Sequence, residues 1–215
     1  MTDGRQFNPS KPVEMFDAFV PKKVQVALAT GIVREYRLAK MSCETEHQPP
    51  ECDDLLPFFR RACIESMLCE IARVHPEVRI VTRSNKSKNC SHRVLACGRV
   101  LLTQSLVERE GMLPREAEYR KGYARDPQYL LFEREDPPAQ DASLYGIVTH
   151  MPLSQRDSGI PAFVDILFPD PNYQVVGRIS LLTRFPDVLG LAASSEPEAI
   201  PDALEAKLRE RRMQI

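Results

Sequence analysis

Six cationic side chains, Arg79, Arg83, Lys86, Lys88, Arg93 and Arg99, fall within the stretch Val78 to Val107, which contains no Asp or Glu. The rest of the chain offsets them, since 29 basic residues face 30 acidic ones and the formal net charge is −1. The segment Arg83-Ser84-Asn85-Lys86-Ser87-Lys88-Asn89 mixes cations with short neutral donors. Arg offers a planar fork, Lys a point charge, and Ser84 and Asn85 neutral hydrogen bonds, a set suited to phosphate oxygens. The partner this chemistry predicts is nucleic acid or another polyanion, with an acidic protein as the alternative. If all six cations met a nucleic-acid backbone, log K would fall with log salt at a slope of about −5. No Phe, Tyr or Trp lies in the same stretch, so a duplex backbone is favoured over a stacked single strand. The competing physical reading is a solvated sheet edge, because basic residues also blunt exposed strands.

Two further clusters have the right residue types for a metal. Cys43, His47 and Cys52 follow one another in C-x3-H-x4-C spacing, and Cys90 and His92 form C-x-H. Four such ligands converging tetrahedrally would hold zinc, but the spacing matches no zinc finger or ribbon and there is no C-x-x-C pair. A second set, His150, Asp165 and Asp170 with Glu133, would suit a metal-dependent phosphoesterase or nuclease if strand pairing gathered it. Within that set, Asp165 alternates with Val164 and Ile166 and is expected to face solvent. His150 at a strand end is expected at the surface. No G-x-S-x-G, H-E-x-x-H or G-x-x-x-x-G-K-[ST] occurs, so hydrolase, zincin and P-loop chemistry by those motifs has no support. No cofactor is indicated.

The elements that must position these groups are readable from periodicity. Residues up to Phe19 form a lead-in with at most a short helical turn. A helix begins at Pro21, with Val24, Leu28, Ile32 and Tyr36 at helical spacing, and is expected to end near Lys40. An acidic loop from Cys43 leads to a second helix capped by Asp53 or Asp54. That helix presents Leu56, Phe59, Cys63, Met67, Ile71 and Val74 on one face, and His75-Pro76 stops it. Strands are predicted at Val78–Thr82 and on both sides of Cys97-Gly98, read as a hairpin. A polar helix over Pro114–Asp126, a brief strand at Tyr129–Phe132, an acidic linker and strands at Leu144–His150 and Ala162–Phe168 follow. Pro169-Asp170-Pro171 is expected to open a helix carrying Tyr173, Val176 and Ile179, and Ala203–Arg212 a charged terminal helix.

The order of helix, three strands, helix and strand from Asp53 to Phe132 resembles the core of the PD-(D/E)xK nucleases. That resemblance implies an acid on the second core strand and an acid-x-Lys on the third, holding a divalent metal. Here Arg93–Ala96 and Arg99–Thr103 carry no acid, and Glu65 and Glu70 on the preceding helix stand alone.

The expected fold is α+β, with a mixed or antiparallel sheet of about five to six strands covered by helices. Residues 1–20 read as a lead-in, 21–190 as a single domain, and 191–215 as a linker and charged helix. With 43% apolar residues an ordinary core is expected. No run long enough to span a bilayer and no apolar leader segment are present, and six cysteines suit free thiols, so a cytosolic location is expected. The leading expectation is a non-enzymatic binding or regulatory protein that engages its partner through the basic hairpin of about 79–99. The alternatives are the metal-dependent phosphoesterase and an obligate subunit whose first two helices pack on a partner.

Overall fold

A computed structural model describes residues 10–84, 91–125, 144–154 and 158–190. The expected strand at 129–132, the acidic linker, the 85–90 loop with Asn85, Lys86, Lys88 and Cys90, Glu133 and the terminal helix lie outside the described residues. The described part is α+β. Helices α1 (Ser10–Phe19), α2 (Lys22–Glu46) and α3 (Glu51–Val74) precede strands β1 (Val78–Ser84), β2 (Ser91–Cys97) and β3 (Val100–Leu106). Helix α4 (Glu118–Arg125), strands β4 (Leu144–Pro152), β5 (Pro161–Pro169) and β6 (Val175–Ser180) and the single turn α5 (Leu181–Arg184) follow.

The six strands form one sheet in chain order, and every neighbouring pair is antiparallel except β3 with β4. Parallel neighbours need a long crossover, and the connection that contains α4 supplies it. Alternation along the strands sends one set of side chains under α1–α3: Leu95, Val100, Leu102, Val148, Val164, Ile166 and Phe168 pack there with Val24, Leu28, Ile32, Ile64 and Met67. The opposite set, Val94, Ala96, Leu101, Tyr145 and Ile147, packs with Tyr123 and Ala124 of α4. The hairpin at Cys97-Gly98 is present: Cys97 opposes Val100, and Gly98 has φ +53°, a conformation glycine adopts without steric cost.

Several elements differ from the sequence reading. The lead-in contains a ten-residue helix, because Phe16 and Val20 are fully buried in the main core and hold it to the sheet. Helix α2 runs past Lys40 to Glu46, taking Cys43 with it; both Ala39 and Cys43 are buried against α3, so packing carries the helix through the acidic segment. Helix α3 has Pro50 at its N-cap position with no side-chain cap, and Asp53 and Asp54 sit in its first turn. The helix expected from Pro169 is a turn and a strand. Asp170 Oδ1 accepts the backbone N–H groups of Asn172 (2.9 Å) and Gln174 (2.8 Å), and Tyr173 takes φ 62°. That side-chain competition for backbone donors turns the chain back, and residues 175–180 complete the sheet beside β5. Helical spacing of Tyr173, Val176 and Ile179 was therefore coincidental.

Gly146 on β4 marks the tightest point under the helices. A methyl there would meet Leu102 Cδ2 at 2.8 Å, Ile166 Cγ2 at 3.1 Å and Phe168 Cε1 at 3.1 Å. Gly146→Ala is therefore an overpacking substitution, expected to destabilise by about 1–3 kcal/mol. Urea denaturation of the variant measures this, and an unchanged midpoint would contradict the packing described.

Candidate anion-binding cleft

Strands β2 and β3 are paired only next to their turn, over Leu95–Cys97 and Val100–Leu102. Both continue beyond that point, β2 back to Ser91 along β1 and β3 on to Leu106 along β4. The sheet thus divides into two halves at this end, and Glu65 of α3 enters the division. Its Oε2 accepts the backbone N–H of Arg93 (2.9 Å), and its Oε1 accepts from Gln104 Nε2 (3.0 Å). One carboxylate takes the place of the missing ladder bonds. Burial raises the Glu65 carboxyl above its ordinary range, while the Gln104 amide, Arg61 and Arg93 act against that rise.

From Glu65 a directed hydrogen-bond chain runs inward. Because the carboxylate accepts, Gln104 presents its amide nitrogen there and turns its oxygen to His150. His150 Nε2 donates to Gln104 Oε1 (3.1 Å), and His150 Nδ1 accepts from the Tyr36 hydroxyl (2.8 Å). Burial, with the Arg60 charge adding to it, pulls the His150 imidazole down to about 3, so it is neutral in ordinary buffers, with its one proton on Nε2. Burial also pushes the Tyr36 phenol up, consistent with its role as donor.

A cleft of about 390 Å³ opens at the divided end of the sheet. Helix α3 contributes Phe58, Arg60 and Arg61, α4 contributes Tyr119 and Arg120, and the strands contribute His92, Gln104, Ser105 and His150 beside Glu65. Three guanidinium groups therefore face one carboxylate. Arg60 is 4% exposed, gives Nη2 to Ser158 O (2.7 Å) and lies 5.0 Å over the Tyr36 ring. Arg120 bonds Arg115 O (2.9 Å) and Ser105 Oγ (3.0 Å) and lies 5.1 Å over Tyr119. Arg61 reaches Ser91 O at 2.8 Å. His92 stacks on Tyr119 with ring centres 4.0 Å apart. Burial, then the charges of Arg120, Arg61 and Arg83, hold His92 down at about 4. That imidazole registers the positive potential of the cleft.

The structure separates most of the residues singled out from the sequence. Arg83 opposes His92 across β1 and β2 and acts on its ring. Arg79 is exposed on the edge strand β1. Ser84 ends that strand. Arg93 is not an outward cation: it faces α3, with Nε 3.8 Å from Glu65 and Nη1 3.4 Å from Thr82 Oγ1. Arg99 sits at the far turn, 5.5 Å over the Phe19 ring. The four described cations of this set therefore do not form one patch; none of them lines the cleft, and Arg83 reaches it only through its charge on His92.

The two metal sets also stay apart. Cys43 ends up on α2 and Cys52 on α3, with Cys43 Sγ donating to Cys52 O at 3.3 Å. His47 packs on Phe59, and His92 stands in the cleft. His150 and Asp165 occupy opposite faces of the sheet, since His150 joins Tyr36 under α2 and Asp165 alternates with the core residues Val164 and Ile166. Asp165 is fully buried, contrary to the expected exposure, with Oδ2 2.9 Å from Arg178 Nε. Glu110 from the β3–α4 connection also pairs with Arg178, so this face is covered where solvent was expected. His150, at 1% exposure, is likewise interior. Asp170 is occupied by its own turn. Among the described residues no three His, Cys, Asp or Glu side chains are grouped to hold a metal ion. Sequence reasoning missed Arg60, Arg61, Tyr119 and Arg120, which lie outside the acid-free stretch; the one available signal was Arg60, a cation at helical spacing with the apolar Leu56 and Cys63.

Removing the Glu65 carboxylate leaves the Arg93 N–H and the Gln104 amide without their acceptor. Glu65→Ala is expected to cost about 1–3 kcal/mol for each donor so orphaned, read as a lowered denaturation midpoint. The two histidines predict a pH dependence with a fixed sign. Both are depressed in the folded state, so between the unfolded value near 6.5 and the folded values near 4 and 3 the unfolded chain binds more protons. Stability therefore falls as pH drops through 6.5 toward 4, with an uptake approaching about two protons on unfolding. Denaturation at pH 7 and pH 4.5 measures it, and NMR titration should find the His92 ring neutral at pH 5.5.

No family model, no curated protein and no solved structure matches the chain, so its function is argued from the chemistry of this cleft.

Proposed function

We propose that this protein is a non-enzymatic binder of polyanions, nucleic acid foremost, that engages its partner at the cleft between β2 and β3. The observation that carries the reading is the lining of three guanidinium groups against one carboxylate. A concavity with an excess of one sign of charge focuses its field on incoming ligands. Arg83 and Arg79 extend the positive surface along β1, and the sequence adds Lys86 and Lys88 next to Arg83. The exposed aromatic group absent from the basic stretch comes from α3, which sets Phe58 at the cleft wall. That addition favours single-stranded over duplex partners, because each exposed base can stack.

Two features argue against the alternatives. Most of the apolar faces of α2 and α3 pack inside the chain against each other and the sheet, which weakens the case for an obligate partner on those helices. His150 and Asp165 face opposite sides of the sheet, which leaves the phosphoesterase reading without a common centre. No helix among the described residues is long and apolar enough to cross a membrane, and Cys43, Cys52, Cys63, Cys69 and Cys97 carry free thiols. Such thiols suit a reducing compartment such as the cytosol.

The test is fluorescence anisotropy with a labelled single-stranded oligonucleotide. The double variant Arg83→Glu, Arg120→Glu is expected to lose at least tenfold in affinity with its thermal midpoint little changed. The wild-type salt slope should correspond to several phosphate contacts. Equal affinity of wild type and variant at low salt would overturn the reading. Arg93 is unsuitable for this purpose, because a glutamate there would confront Glu65.

A further inference from the structure

Two cations of the cleft have no carboxylate partner among the described residues. Arg60 is buried, and its described partners are a backbone carbonyl and an aromatic face. Arg120 likewise has a carbonyl, a hydroxyl and a ring. Among the described residues neither meets a carboxylate, and the Nε of each is buried with no hydrogen bond. Elsewhere in the fold, cations of comparable position are matched: Arg93 by Glu65, Arg178 by Asp165 and Glu110, and Arg184 by Asp17. A buried guanidinium without an anion is costly, so its retention at a cleft points to a ligand that completes it.

Depth and charge narrow the ligand. A nucleic-acid backbone running past the protein touches the rim, whereas Arg60 is 4% exposed. Only a chain end or a small molecule reaches that depth, and about 390 Å³ falls in the range of small-ligand sites. A phosphomonoester carries about −1.5 to −2 charge at neutral pH, which matches two uncompensated guanidinium groups better than the single charge of a diester. Phe58 on the wall, 65% exposed, offers aromatic surface for an attached base.

We infer that the cleft is a phosphomonoester pocket for a nucleoside phosphate, with the phosphoryl group between Arg60 and Arg120 and the base against Phe58. This rests on the polyanion reading above and specifies what enters the deepest part of that site. The phosphoryl group can come from the phosphorylated end of a single strand or from a free mononucleotide.

The experiment compares a 12-mer carrying a 5′-phosphate, the same strand with a 5′-hydroxyl, and adenosine monophosphate, each titrated into wild type, Arg120→Gln and Arg60→Lys. The lysine variant keeps the buried charge and removes the fork, so it tests the site where a neutral residue would threaten folding; thermal midpoints are taken alongside. The expected result is at least tenfold tighter binding of the phosphorylated strand than of the hydroxyl strand, with that preference lost in both variants. Equal binding of the two strands overturns the phosphomonoester pocket and leaves the polyanion reading standing. Binding of the mononucleotide without either strand, lost in Arg120→Gln, upholds the pocket and overturns the nucleic-acid reading. No binding of any of the three overturns both.

Discussion

The carboxylate of Glu65 holds the divided end of the sheet in its shape. A strand pair that stops after three residues leaves backbone donors facing a gap, and buried donors without acceptors are not tolerated. Glu65 supplies one oxygen to the Arg93 N–H of β2 and the other to the Gln104 amide of β3. The two halves of the sheet are therefore tied together by a side chain where hydrogen-bonded ladder would otherwise run. A ladder would have filled the space that is now the cleft. The same carboxylate fixes the orientation of Gln104, hence the proton position on His150, hence the direction of the Tyr36 hydroxyl.

Local charge arrangement, invisible in a net charge of −1, distinguishes the cleft from the rest of the surface. Several described cations have a nearby acid, among them exposed pairs such as Lys23 with Glu77 and Arg73 with Glu70, which contribute little to stability. At the cleft the pattern reverses: Arg60 and Arg120 rely on carbonyls, a hydroxyl and ring faces. The histidines respond to that excess. His92 and His150 are both driven to the neutral form, the first by burial and three arginines, the second by burial and Arg60. Neutral rings beside these cations keep the positive potential from rising further.

Much of the scaffold was legible because it obeys local rules. Helical spacing from Val24 to Tyr36, the stop at His75-Pro76 and the turn at Gly98 each have a cause within a few residues, and each element is present. The errors occur where distant contacts decide. Asp165 alternates correctly, yet Arg178 and Glu110 cover the face that alternation assigns to solvent. The 175–180 segment has helical spacing, yet Asp170 ends the option by capturing two backbone donors, and β5 provides an edge to pair with. The cleft was illegible for the same reason. Its arginines come from two helices separated by three strands, and the charge-run signal pointed to Arg93 and Arg99, which serve Glu65 and Phe19.

The place of the cleft follows from the one parallel pair. Because β3 and β4 run in the same direction, their carboxyl ends, Leu106 and His150, lie side by side. The chain leaving β3 goes to α4, which packs on the face with Leu101 and Tyr145 and brings Tyr119 and Arg120. The chain leaving β4 goes to the other face, where Gly159 lies against Lys40 of α2 and Ser158 receives Arg60. Diverging connections beyond the carboxyl ends of adjacent parallel strands create a crevice, the usual place for ligands in open sheets with such a reversal. Here the unpaired stretch of β2 and β3 widens that crevice on its third side. An antiparallel β3 and β4 would have sent the two connections to opposite ends of the sheet, and Arg60 and Arg120 could not have met across one cavity.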